Sequence, residues 1–249
     1  MKVIIPIPDI DFDPSEVSVS WKILKENKID IVFATPSGKS GSADPIMLTG
    51  EGLGIFSKFL IANKDAQSYY KEMIISSEFL NPIIYDDIQS SNFNGLLLPG
   101  GHAKGMRTYL ESNKLQTLVV EFFNSNKSVA AICHGVLLAA RSIDPKTNKS
   151  VLYNYKTTAL LKSQELGAYN LTRLWIDDYY LTYPITVEDE IKTFLESPDQ
   201  FLQGNTSIFR DTMKDTNNSF SVKDRNFLSA RWPGDAHHFG FEFVKMLNT

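Results

Sequence analysis

The chain has 249 residues, 43% of them hydrophobic, enough apolar material to bury a substantial core without staples. Its formal charge of −4, with no basic stripe, argues against nucleic acid and anionic membrane and leaves a small molecule as the expected partner. One cysteine excludes an internal disulfide and a thiolate zinc cluster. The single thiol points to a reducing, cytoplasmic setting, as does an N-terminal apolar stretch cut short at Pro6, Pro8 and Asp9.

Residues 3–7 and 29–34 read as buried strands joined by a helix around 17–25, a βαβ unit that implies a parallel sheet. Asp13-Pro14-Ser15-Glu16 opens that helix, with Asp13 as N-cap, Pro14 in the first helical position and Glu16 three residues past the cap. Glu16 has two readings, as part of the cap or as a carboxyl in the crevice where open α/β sheets bind ligands, and local evidence favours the cap. Residues 35–54, rich in Gly, Ser and Asp-Pro, form a long surface excursion. Helical spacing returns over 55–75 through Phe56, Phe59, Leu60 and Ala66, and residues 83–88 lead back towards the sheet.

Leu96 to Leu98 read as a central strand ended by Pro99-Gly100-Gly101-His102. Successive glycine N–H groups there suit an oxyanion pocket, although Pro-Gly-Gly also suits a plain turn. A crossover helix over 114–124 brings the chain to the apolar run 129–132 and then to Cys133-His134-Gly135, the start of another helix. A strand that turns at once into a helix lifts the corner side chain over the sheet edge, next to unpaired helix N–H groups. A thiol of pKa ~8.5 can fall to roughly 3.5–7.5 at such a place, so a thiolate is expected at Cys133. A lone buried cysteine is ordinarily core filling, but filling does not call for a glycine two residues on, and Gly135 favours the reactive corner.

Past Arg141, a turn at Asp144-Pro145, a hairpin near 151–155 and a strand over 157–161 are expected. Glu165 then falls just beyond a strand end, where it would orient an imidazole or simply stand solvated in a first helical turn. Trp175, Tyr179, Tyr180 and Tyr183 read as packing within an excursion, with a pocket wall as the alternative. Thr186 opens a short helix closed at Ser197-Pro198, residues 211–219 read as an exposed loop and 226–230 as a last strand. Asp235 caps a final helix from 236 to about 247. No internal repeat interrupts the βα alternation, which favours one domain over 1–249 with excursions near 36–75 and 169–224.

Three motifs, Asp11-Phe12-Asp13-Pro14-Ser15-Glu16, Leu98-Pro99-Gly100-Gly101-His102 and Ala130-Ala131-Ile132-Cys133-His134-Gly135, occur in an order and separation that resemble the DJ-1/PfpI (ThiJ) family. The nearest likeness is to its Hsp31-like branch, within the class I glutamine amidotransferase-like superfamily. The resemblance implies an α/β fold, a mainly parallel flavodoxin-like sheet sandwiched by helices, with a cysteine nucleophile elbow. It implies Cys133 as nucleophile, His134 as its neighbouring base and Glu16 as a carboxyl sharing a hydrogen bond with the sulfur. Gly100, Gly101 and the backbone of His134 would hold the oxyanion, and Glu165 falls where Hsp31-like members place the acid behind the histidine. Some larger relatives carry a metal at a histidine like His102; its partner ligands are not found here, and no metal or other cofactor is expected. Dimers are frequent in the family, so a homodimer is an open option that no residue here fixes.

The activity implied is a glyoxalase III-like conversion of a small aldehyde such as methylglyoxal to lactate, a lyase serving carbonyl detoxification or the stress response. A PfpI-type amidase or peptidase is the first alternative, and a holdase chaperone or redox sensor the second. A glutaminase is disfavoured because His237-His238-Phe239-Gly240-Phe241-Glu242 lacks the His-x-Glu spacing of glutaminase subunits.

Overall fold

The computed structural model describes residues 1–205 and 207–249. Its centre is a seven-stranded sheet of β1 (Lys2–Pro6), β2 (Asp30–Thr35), β3 (Ile83–Ile84), β4 (Gly95–Leu98), β5 (Ser128–Ile132), β8 (Ser221–Asp224) and β9 (Phe227–Ala230). Their order is β3-β2-β1-β4-β5-β9-β8. All neighbours are parallel except β8 and β9, and a separate small hairpin pairs β6 (Ile143–Asp144) with β7 (Lys149–Ser150). Central strands covered on both faces need unbroken apolar runs, and Val3–Ile5, Leu96–Leu98 and Val129–Ile132 supply them, every side chain fully buried.

Helix α1 (Pro14–Glu26) packs with α2 (Lys64–Met73) and with α7 (Ala236–Leu247). A second group, α3 (Asn113–Asn124), α4 (Gly135–Arg141) and α6 (Val187–Phe194), packs together around β5. Helix α5 (Lys162–Ile176) belongs to the second excursion. From β1 the chain runs outward through β2 and β3, then returns to β4 and β5 on the other side. Strand direction of travel therefore switches between β1 and β4, and open α/β sheets bind ligands beyond the carboxyl ends of strands at such a point.

Several expectations change. The 55–75 segment is not one helix: a tight turn Gly54–Phe56 and the single turn Ser57–Leu60 end at an extended Ile61, and α2 starts afresh with Asn63 as its cap. Phe59 is 76% exposed, so its spacing reports no core. Residues 157–161 are not a strand, Thr157 making only a single bridge to Phe201. The place beside β9 belongs to β8, which the sequence hides because Ser221-Val222-Lys223-Asp224 carries one apolar residue. The hairpin forms at 143–150 rather than 151–155. Asp211 is buried and bonded to His237 instead of lying in an exposed loop, and Asp235 does not cap α7 but pairs with the fully buried Arg231 at 2.8 Å.

A single large hydrophobic cluster surrounds the sheet, and a small satellite of Met47, Leu53 and Tyr180 ties the two excursions together. Among the described residues no helix is long and apolar enough to cross a membrane.

Candidate active site

Cys133 follows β5 directly and adopts φ 57°, a left-handed conformation costly for a residue with a Cβ. The turn into α4 is forced by crowding. A Cβ at Gly135 would lie 2.1 Å from the Leu98 carbonyl oxygen, so only glycine lets the new helix start this close to β4. The sulfur thereby stands at the carboxyl end of the sheet, 4% exposed, where β4 and β1 also end.

Glu16 reaches the same point from α1. Asp13 alone caps that helix, its Oδ1 accepting from the N–H groups of Ser15 (2.8 Å) and Glu16 (3.0 Å), while the Asp13 N–H donates to the Gly100 carbonyl. Glu16 is thus released from capping: fully buried, its Oε2 accepts from the Gly100 N–H at 2.7 Å. Gly100 sits wedged between the two reactive groups, since a Cβ there would come 2.9 Å from Glu16 Oε2 and 3.0 Å from Cys133 Cβ. Its N–H serves Glu16 and is not free for an oxyanion, which leaves the Gly101 and His134 N–H groups, neither spent on a backbone carbonyl.

Burial pushes the Cys133 thiol well up, and the neighbouring Glu16 charge raises it further, the reverse of the lowered value the corner alone suggests. A short helix N-terminus in a dry site does not offset desolvation. Glu16 is likewise pushed well up, by burial first and by Asp13 second, and Asp13 itself rises to about 6 through burial. A charge on Glu16 therefore opposes ionisation of the sulfur, and two negative charges are disfavoured at this point.

His134, fully buried, turns its Nδ1 towards Cys133 Sγ at 3.5 Å and its Nε2 towards Thr182 Oγ1 at 3.0 Å. The Thr182 hydroxyl donates to the His102 carbonyl at 2.5 Å, so it can only accept from the imidazole. That assigns the proton to Nε2 and leaves the Nδ1 lone pair facing the sulfur. Burial lowers His134 to about 3, with His102 and Arg141 adding to the effect, so the ring stays neutral.

Glu165 is not brought to His134. It lies in the first turns of α5, where Oε2 accepts from the Val187 N–H at 2.9 Å and burial raises it to about 7. Thr182 takes the place behind the imidazole, and no sequence pattern marks it. Tyr180 stacks on His102 with ring centroids 4.5 Å apart, and the Tyr179 hydroxyl bonds Asp44, so these aromatics wall the site while Trp175 is largely exposed. Burial lowers His102 to about 4; its Nε2 lies 3.9 Å from Asp44 Oδ2. Among the described residues no three His, Cys, Asp or Glu side chains cluster so as to hold a metal.

Fold and site together define an α/β protein with a buried cysteine on a nucleophile elbow and a carboxylic acid opposite it. The family model described as ThiJ/PfpI family-like matches residues 7–204, and the chain belongs to this DJ-1/PfpI family, on its Hsp31-like side. The glutathione-independent glyoxalase hsp3101 of Schizosaccharomyces pombe is 27% identical over 154 residues, covering 61% of this chain and 59% of that one. The uncharacterized protein C14C4.04 of the same yeast is 25% identical over 183 residues, covering 69% and 67%. The matches thus span about three fifths to two thirds of these relatives. In structure, glyoxalase III (Orf 19.251) from Candida albicans superposes with TM-score 0.70 at 15% identity, over 99% of this chain and 97% of that one, a likeness of fold.

Proposed function

We propose that this chain is a cofactor-independent cysteine enzyme of the glyoxalase III type, converting small 2-oxoaldehydes such as methylglyoxal to 2-hydroxy acids. The observation that carries this reading is the fully buried Glu16 carboxyl, its Oε2 held by the Gly100 N–H at 2.7 Å with Gly100 wedged between it and Cys133, an acid placed to take up and return the thiol proton. The names of the yeast glyoxalase relatives support the same direction.

In the first step the thiol proton passes to the Glu16 carboxylate while Sγ bonds the aldehyde carbon. The carbonyl π pair becomes an alkoxide beside the Gly101 and His134 N–H groups, and Glu16 returns the proton to it, giving a hemithioacetal. Glu16 carboxylate next removes the hydrogen from that carbon, forming an enediolate. The enediolate takes this proton back at its second carbon while the first hydroxyl proton moves to the second oxygen, leaving a thioester. Water then adds, the carbon–sulfur bond breaks, and the thiol regains a proton as the 2-hydroxy acid leaves.

His134 orients the sulfur but, held neutral and far below its ordinary value, it makes a poor proton donor. Amide hydrolysis needs an imidazolium to protonate the leaving amine and a partner to stabilise that charge; a threonine hydroxyl behind His134 speaks against it. A redox sensor needs an exposed, low-pKa thiol, and Cys133 is neither. Cys133→Ser, assayed for lactate from methylglyoxal without glutathione, is expected to be inactive; persistent turnover would overturn the assignment.

A further inference from the structure

Cys133 is 4% exposed, and Glu16, His134 and Thr182 are fully buried, so a substrate reaches the sulfur only when part of the roof moves. The floor cannot supply that motion, since β1, β4 and β5 are locked side by side in the sheet. Above it, residues 177–183, between α5 and α6, reach into the site from outside. Thr182 Oγ1 meets His134 Nε2 at 3.0 Å, on the ring whose Nδ1 lies 3.5 Å from the sulfur. Tyr180 stacks on His102, two residues past the Gly100 wedge.

This segment is built as a strap with a hinge, a fixed end and a latch. The hinge is Asp177, at φ 48° and ψ −126°, inside the turn in which the Tyr179 N–H donates to the Ile176 carbonyl. Glycine is the residue at ease in that position of such a turn, and an aspartate there is strained. The 15-residue helix leading to it, α5, buries only Glu165 and Thr172. At the fixed end the Tyr183 hydroxyl donates to Glu111 Oε1 (2.8 Å) and accepts from Arg141 Nη1 (2.9 Å).

The latch comes from the stretch just after the Gly100-Gly101-His102 turn. Lys104 Nζ donates to both carboxylate oxygens of Asp178, at 2.6 and 2.7 Å. Arg107 donates to the Thr182 carbonyl from Nε at 3.0 Å and from Nη2 at 2.5 Å. The Lys104 and Asp178 side chains are 50% and 61% exposed, so this half of the latch is an ion pair in water, weak and screened by salt. Other polar ties of the roof join segments outside the strap: Arg210 Nη2 donates to the Leu60 carbonyl at 3.1 Å with its guanidinium 5.4 Å over the Trp232 ring, and Asp211 bonds His237.

We propose that residues 177–183 are the door to Cys133, latched by Lys104 and Arg107. Closing returns Thr182 to His134, so the open form admits substrate and the closed form carries out the reaction. The proposal rests on the reading of Cys133 as the group a substrate must reach, and it holds whichever carbonyl compound enters. The rival account, in which the sulfur is reached by loosening of the whole fold, makes the strap no different from the sheet.

Cys133 is the only cysteine, so alkylation of the full chain by neutral iodoacetamide, followed by intact mass, reads access to this sulfur alone. The Sγ–CH2 bond forms, the carbon–iodine bond breaks, iodide leaves and the thiol proton goes to solvent. Amide hydrogen exchange on the same samples reads the strap and β5 separately. Lys104→Gln is expected to raise alkylation and exchange in 177–183 together, each about threefold, with β5 unmoved. Arg107→Met, which strips the Thr182 carbonyl of both donors, should raise them about tenfold. Exchanging the charges, Lys104→Asp with Asp178→Lys, remakes the ion pair and should bring both rates back to within about twofold of wild type. Added salt should speed alkylation of wild type and leave Lys104→Gln unchanged. Alkylation that does not follow the strap, or that rises only together with exchange in β5, would overturn the proposal, as would rates unmoved by either substitution. If alkylation follows the strap while wild type makes no lactate from methylglyoxal, the glyoxalase reading fails and the door stands. If lactate forms and alkylation does not follow the strap, the glyoxalase reading stands and the door fails.

Discussion

Around Cys133 nearly every group is committed: Gly135 touches β4, Gly100 is wedged between Glu16 and the sulfur, Asp13 is spent on the α1 cap, and His134 is held by Thr182. The roof formed by the two excursions is the opposite. Ile55, Phe59, Leu174 and Ile208 are each more than three-quarters exposed, and the roof's own core is the small satellite around Met47, Leu53 and Tyr180. The elbow is a consequence of backbone crowding in a parallel sheet, whereas the roof is held by a few long-range polar ties such as Arg210 to Leu60 and Asp211 to His237. A rigid floor fixes the reaction and a loosely built cover is free to set which molecule enters.

The sharpest way to break this contrast is at the floor. Glu16→Gln keeps the shape and the Gly100 contact but removes the proton carrier, and kcat for methylglyoxal is expected to fall by roughly 10²–10⁴. Its pH profile should change too. In wild type, activity is expected to rise as Glu16 loses its proton, above the ordinary carboxylate range because burial and then Asp13 push it up. In the variant only the raised thiol remains, so the rise moves to higher pH; an unmoved profile would show that Glu16 does not set it.

A smaller effect is expected where floor meets roof. Thr182→Val keeps the volume but removes the acceptor for His134 Nε2, and kcat should drop about tenfold with little change in KM. Nitrogen chemical shifts of His134 should show a mixed tautomer in place of one protonated at Nε2. Loss of activity with the tautomer intact would make Thr182 a packing residue.

Glu165 gives the least change in activity and tests the assignment from the other side. Glu165→Gln should stay within about twofold of wild-type turnover, whereas an acid behind the histidine would cost far more. Its effect is on stability. The folded value of about 7 exceeds the ordinary 4.5, so its contribution is present in full below pH 4.5 and is lost as pH rises through 7. The variant should lack that decline and exceed wild type at pH 8 by about 2–3 kcal/mol in denaturant unfolding.

The same division explains what could be read beforehand. Val129–Ile132, Cys133 and Gly135 are consecutive, so local sterics were enough to place the corner, and Asp13 with Pro14 marked the start of α1. Glu16 looked like a capping residue because the Asp13 N–H is seen to bond Gly100, 87 positions away, only once the sheet is folded. Thr182 and Arg210 carry no local signature: each acts through partners on distant segments, His134 and His102 for one, Leu60 and Trp232 for the other. Desolvation was equally hidden, and it reversed the direction expected for the thiol. The strand β8 is not legible in the sequence because an edge strand needs only one apolar side chain to cover the sheet.

The left-handed backbone at Cys133 also acts as a filter on chemistry. At φ 57° a side chain branched at Cβ collides with its own backbone, so threonine and valine are shut out while serine, alanine and glycine are tolerated. The handedness of one residue thus limits any descendant of this scaffold to an unbranched attacking group, whatever molecule its cover has come to admit.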